Sequence, residues 1–235
     1  MQYLARFFCC LLLLIAMPSL AAPPSRVQAQ YDLLQSGLKV AVMHETFIRS
    51  QNQYRIESVT RPYGLLALLK HETIRITSTG TVTAQGLRPQ TFDYRLEHDT
   101  ERNAHASFDW SAGKITLTDR SGTRSLPLPS GTQDRLSAMY QFMFLPLAKS
   151  TELKFDMTNG SKVDDYHYLI TPDRHATVPL GSFQTLYLAS PPSPNGRRTE
   201  IWLAKKFSHL PCKMVITKGD GDKLTQALTQ LNFVP

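Results

Sequence analysis

The residues able to do chemistry in this chain are scattered. The seven histidines are His44, His71, His98, His105, His167, His175 and His209, spread through separate segments. His44-Glu45 and His71-Glu72 lack the second histidine of a zinc-binding helix, and both stand in strand-like sequence. His167 and His175 flank Thr171-Pro172-Asp173, which reads as a turn, so the two rings could face each other across a hairpin. Two imidazoles alone are a weak metal site. Asp220-Gly221-Asp222 is too short for a calcium loop and reads as a turn. Asp109, Asp134 and the pair Asp164-Asp165 could supply an acid and a base. Turn, cap and solvated-strand roles account for each of them without chemistry. No serine elbow, zinc helix, phosphate loop or dinucleotide fingerprint is present. No catalytic residue, metal or cofactor is therefore expected.

The chain has three cysteines, and two of them, Cys9 and Cys10, lie in the apolar run Phe7 to Met17. Arg6 precedes that run, and Pro18 with Ser19-Leu20-Ala21 follows it, the pattern of a cleaved secretory signal over residues 1–21. The run is too short to span a bilayer. The expectation is an exported, periplasmic chain of one β-rich domain over residues 22–235, with no later transmembrane segment. Cys212 would then be the only thiol, and a buried small apolar role suits it better than reactivity. The net charge is +7, falling to +6 without Arg6. That excess suits anionic partners in an envelope, such as lipid headgroups, or serves solubility. The bases form no long run, and nucleic acid is not an expected partner.

The remaining sequence must position these residues, and most of it reads as short strands between turns. Val27 to Leu34, Leu38 to Arg49 and Tyr54 to Thr60 come first. His71 to Thr77 and Thr81 to Ala84 flank Ser78-Thr79-Gly80, read as a hairpin turn. Leu153 to Thr158 and Lys162 to Ile170 flank Asn159-Gly160, the strongest hairpin signal. Ser182 to Ala189, Thr199 to Ala204, Lys213 to Thr217 and Lys223 to Leu231 close the series. Two segments break it. Gly131 to Leu147 reads as a helix that Thr132 can cap, and Pro62 to Lys70 reads as a second with Pro62 in its first turn. Both are apolar over more than one face, so each must meet a second surface besides a sheet. The predicted fold is mainly β (α+β): a large curved antiparallel sheet or half-barrel with two apolar helices packed on or in its concave side.

The second surface could be the other helix, as in an ordinary filled core, or a bound acyl chain. If a ligand cavity exists, its lining should come from Leu65, Leu66, Leu69, Phe108, Trp110, Met139, Tyr140, Phe142, Leu145 and Trp202. Arg61, Lys70 and Arg135 are the basic residues expected at its rim.

Several motifs resemble a known family. Gly86-Leu87-Arg88-Pro89, Phe92-Asp93-Tyr94-Arg95 and Phe108-Asp109-Trp110 are similar to the middle of domain-of-unknown-function family 3108, a set of exported bacterial proteins. Gly131-Thr132-Gln133-Asp134 with Leu136 to Phe142, Pro179 to Phe183, Ile201 to Ala204 and Leu210-Pro211 extend the resemblance from about Tyr31 to Leu228. Cys212 and Lys205-Lys206 depart from that pattern. The resemblance implies a periplasmic location and carries over no catalytic residue. In architecture it is similar, more distantly, to the half-barrels of periplasmic lipoprotein carriers and receptors, an analogy of fold alone. Three functional classes follow as expectations: a noncatalytic binder of lipid, acyl chain or lipoprotein tail; an interaction or scaffold factor in envelope assembly with a filled core; and, with the smallest share, an envelope hydrolase.

Overall fold

A computed structural model describes residues 24–64, 67, 72–191 and 193–234. One sheet of 15 strands holds them together. β1 (Arg26–Gln35), β2 (Leu38–Ser50), β3 (Gln53–Pro62), β4 (Ile74–Thr83) and β5 (Gly86–Leu96) form an antiparallel meander. It continues through β6 (Ala104–Asp109), β7 (Lys114–Asp119) and β8 (Gly122–Pro127). The chain then crosses to the far edge as β9 (Gln133–Asp134), which pairs parallel with β10 (Glu152–Thr158). A second meander runs back through β11 (Val163–Val178), β12 (Gly181–Ala189), β13 (Arg198–Ala204), β14 (Leu210–Thr217) and β15 (Lys223–Val234). β15 pairs antiparallel with β1, so the two meanders share one sheet.

Alternation of buried and more exposed side chains over Arg26 to Tyr31 in β1 and Ala41 to Phe47 in β2 shows why the sheet forms: each strand turns one face to the core, apolar except for Glu45. The sheet curls until its far edge meets its own middle. Gln133 Nε2 on β9 donates to the Leu87 carbonyl on β5 at 2.9 Å. The Asn159-Gly160 turn between β10 and β11 lies against Phe92 and Ala104 of β5 and β6. Gly160 has φ +90°, and a Cβ there would stand 2.9 Å from the Ala104 Cβ. The hairpin signal thus marks a turn that also closes the curve.

Three expectations are corrected. Ser78-Thr79-Gly80 is not a turn, because β4 runs unbroken through it. Gly80 sits at a register shift where a Cβ would meet the Arg88 carbonyl at 2.2 Å, so the glycine serves close backbone approach. Thr171-Pro172-Asp173 is likewise a bulge inside β11, with Asp173 at φ +55°. His167 and His175 therefore stand on one strand, not across a hairpin. His167 Nε2 meets Glu152 at 3.0 Å, and His175 is paired in register with Gln184.

The two expected helices are the third correction. Gly131 to Leu147 contains one short helix, α1 (Ser137–Gln141). Asp134, not Thr132, secures its start: Asp134 Oδ1 accepts the amides of Leu136 and Ser137 at 2.9 and 2.8 Å. Thr132 donates to the Pro129 carbonyl instead. After α1 the chain tightens, with Met143 and Phe144 amides reaching back only three residues, and Pro146 follows. The second expected helix lies mostly outside the described residues, including Leu65, Leu66, Leu69 and Lys70. Pro62 ends β3, so it does not open a helix.

The apolar faces of the α1 segment have one shared explanation. Leu136, Tyr140 and Met143 join a core built on Val27, Tyr31, Phe47, Ile56 and Phe92. Phe142 and Leu147 join a second core built on Tyr168, Leu186, Leu188, Ile201 and Leu203. Met139 touches both. A helix of five residues has no stability of its own, and burial between the two halves of the curved sheet holds it.

Candidate functional site

The α1 segment is pinned to the concave face by two buried carboxylates. Asp134 is fully buried and accepts the Ser78 hydroxyl of β4 at 2.5 Å, besides the two amides at the start of α1. Burial raises its pKa, and those hydrogen bonds oppose the rise. Glu45 of β2 is also buried and accepts the Tyr140 hydroxyl at 3.1 Å. Burial pushes the Glu45 carboxyl up to about 7, against the Tyr140 hydrogen bond and the charge of Arg135. Tyr31 donates to the Pro211 carbonyl at 3.0 Å. Its hydrogen bonds to β4 and to the start of α1 make Asp134 a structural anchor. Asp109 is a turn residue whose Oδ1 accepts from Ser111 and Ala112.

Beside α1 lies a cleft of about 540 Å³. Met139 of α1, Met157 of β10, Tyr166 and Tyr168 of β11, and Met214 and Ile216 of β14 make its apolar wall. Arg135, Lys162 and Arg197 stand on its lining, with Asp164 and Asp165. Lys162 pairs with Asp164 at 2.6 Å, while Arg135 and Arg197 make no ion pair among the described residues. Arg135 lies near enough to act on both Glu45 and Tyr166. The cleft thus joins methionine and aromatic surface to unpaired guanidinium groups. Its size is that of ordinary small-molecule sites. Methionine thioethers adapt to irregular apolar partners better than branched side chains do.

A family model described as "Protein of unknown function (DUF3108)" matches residues 28–229. The chain belongs to this family. A search of curated proteins finds no match. The DUF3108 match spans β1 through most of β15, so the α1 segment and the cleft both fall inside it.

The other expected site residues of this DUF3108 protein separate in space. Phe142 and Leu145 line a smaller cavity of about 230 Å³ on another side of α1, with Leu153 and Phe155 of β10. Tyr140 is sealed in the core against Phe47, ring centroids 5.3 Å apart. Phe108 is buried and stacks on Trp110, whose Nε1 donates to the Pro89 carbonyl at 2.6 Å under the Arg88 guanidinium. Neither lines the cleft. Trp202 follows Ile201 and precedes Leu203, both buried in the second core, so strand alternation puts it on the opposite face. There it packs on Tyr187 at 5.0 Å beneath the Lys213 ammonium. Arg61 lies in the other half of the sheet. Sequence reading missed Met157, Met214, Lys162 and Arg197. Strand alternation places Met157 and Met214 inside, but only the fold brings β10 and β14 to one cleft.

Proposed function

We propose that this is a noncatalytic periplasmic protein that binds an amphiphile with an anionic head, such as a lipid or fatty acyl species. The observation that carries the reading is the cleft beside α1, where Met139, Met157, Met214 and Ile216 face the same space as Arg135 and Arg197. An acyl chain would lie along the methionines, and its acidic head would meet the guanidinium groups, which suit planar oxyanions. The N-terminal signal pattern supports export. The test is organic extraction and mass spectrometry of the protein purified from a periplasm, beside a control protein. A stoichiometric acyl species that is lost in a Met139→Asp, Met214→Asp variant of normal fold is the expected result. A clean extract, with no uptake of added fatty acid, would refute the reading.

A second reading is an interaction or scaffold factor in envelope assembly. Its support is that α1 spends its apolar surface inside, with Tyr140 and Phe142 each 1% exposed. A stoichiometric protein partner with an empty cleft would favour it.

A further inference from the structure

The convex side of the first meander carries a second feature, unrelated to the cleft. Arg75 of β4 stands directly opposite Arg95 of β5 in the antiparallel register. Cβ atoms of such a pair are about 5 Å apart, and like charges so placed repel. Both side chains point away from the core, since their neighbours Ile76 and Leu96 are buried. Arg61, at the end of β3, borders the same depression of about 580 Å³, together with Thr73, Leu96 and Glu97.

Counter-charge within the protein is thin. Arg61 and Arg75 make no ion pair among the described residues. Arg95 reaches Asp93 at 3.3 Å, but His105 Nδ1 shares the same carboxylate oxygen at 3.2 Å. Glu97 is the one carboxylate on the lining. The next outward residues of β4 are Thr77 and Thr79, and Thr79 pairs with Thr91 of β5. The charge is therefore concentrated at one end of the strands rather than spread for solubility.

We propose that Arg61, Arg75 and Arg95 form a binding site for a phosphate-class oxyanion. A tetrahedral oxyanion has enough acceptor oxygens for several guanidinium forks, and its charge would relieve the Arg75–Arg95 repulsion. The same group could be free in solution or displayed on a lipid headgroup, and binding in either form should weaken as salt rises.

The test titrates the purified protein with inorganic pyrophosphate by calorimetry, and with phosphatidylglycerol vesicles by flotation against phosphatidylcholine controls. Saturable binding to at least one probe is expected, weakened tenfold or more in an Arg75→Gln, Arg95→Gln variant. Arg75→Lys should keep part of the affinity, since it keeps charge without the fork. Binding to pyrophosphate assigns a free anion, and binding to vesicles alone assigns a headgroup. No binding to either probe would overturn the site. So would binding that survives the double variant but is lost in Arg135→Gln, Arg197→Gln, which would move the anion to the cleft. The four substituted side chains, Arg75, Arg95, Arg135 and Arg197, are all exposed, so none of the variants should lower the urea midpoint.

Discussion

Replacing Glu45 with glutamine should make the protein more stable at high pH and leave it nearly unchanged at low pH. Glu45 is 7% exposed, and burial raises its carboxyl from 4.5 to about 7. The folded state therefore holds this proton more tightly than the unfolded chain does. Its contribution to stability is present in full below about pH 4.5 and is lost as pH rises through about 7. A shift of this size corresponds to about 3 kcal/mol at 1.36 kcal/mol per pH unit. Glutamine stays neutral, has nearly the same shape, and keeps an oxygen for the Tyr140 hydroxyl. Its extra amide protons carry a cost that is the same at every pH, about 1 kcal/mol if one of them finds no partner. The readout is thus the slope, not the offset. Urea unfolding at half-unit steps from pH 4 to 8 should show wild type losing about 3 kcal/mol relative to the variant. In a chain of this size the loss corresponds to a thermal midpoint difference of roughly 6–12 °C. His209, whose pKa burial lowers, and the raised Asp134 also titrate, but both are common to the two proteins and cancel in the difference. Parallel curves for wild type and variant would refute the placement of a buried, protonatable Glu45 beneath α1.

Two further outcomes follow from close packing. Gly80→Ala should destabilise the protein by about 3 kcal/mol, at the upper end of overpacking costs, because the new methyl meets the backbone of Arg88 and Pro89 as well as the buried Tyr54 ring; an unchanged urea midpoint would contradict that approach. Cys212 is fully buried, and burial pushes its thiol up to about 11, so native protein should react with a disulfide reagent only as fast as it opens globally, and immediate labelling would contradict the buried position.

Much of the candidate site was legible only in part, and the reasons are local. Met139 and Arg135 were expected to line a cavity and its rim, and both stand on the cleft lining. Phe142 and Leu145 came from the same helix reading, yet they line a different cavity. The periodicity of Gly131 to Leu147 identifies which residues are apolar, but a helix of five residues followed by tight turns splays them in directions that an ideal helix does not. Trp202 is large and apolar enough to line a cavity, but its type does not say which face of β13 it occupies.

The strands themselves were determined by the sequence, because alternation is a property of residues two apart and each strand carries its own record of its buried face. So was the Asn159-Gly160 turn, whose conformation needs glycine whatever surrounds it. Gly80 shows where that logic stops. A glycine in a strand-like run reads the same whether it turns the chain or admits a neighbouring backbone, and only the pairing of β4 with β5 distinguishes the two. Thr171-Pro172-Asp173 reads as a turn for the same reason, and only the ladder to β12 makes it a bulge. The juxtaposition of Arg75 with Arg95, the meeting of Met139, Met157 and Met214, and the curl that brings Gln133 to Leu87 all depend on register and curvature. Those are set by the sum of many cross-strand contacts between residues far apart in the chain, so no short stretch of sequence contains them.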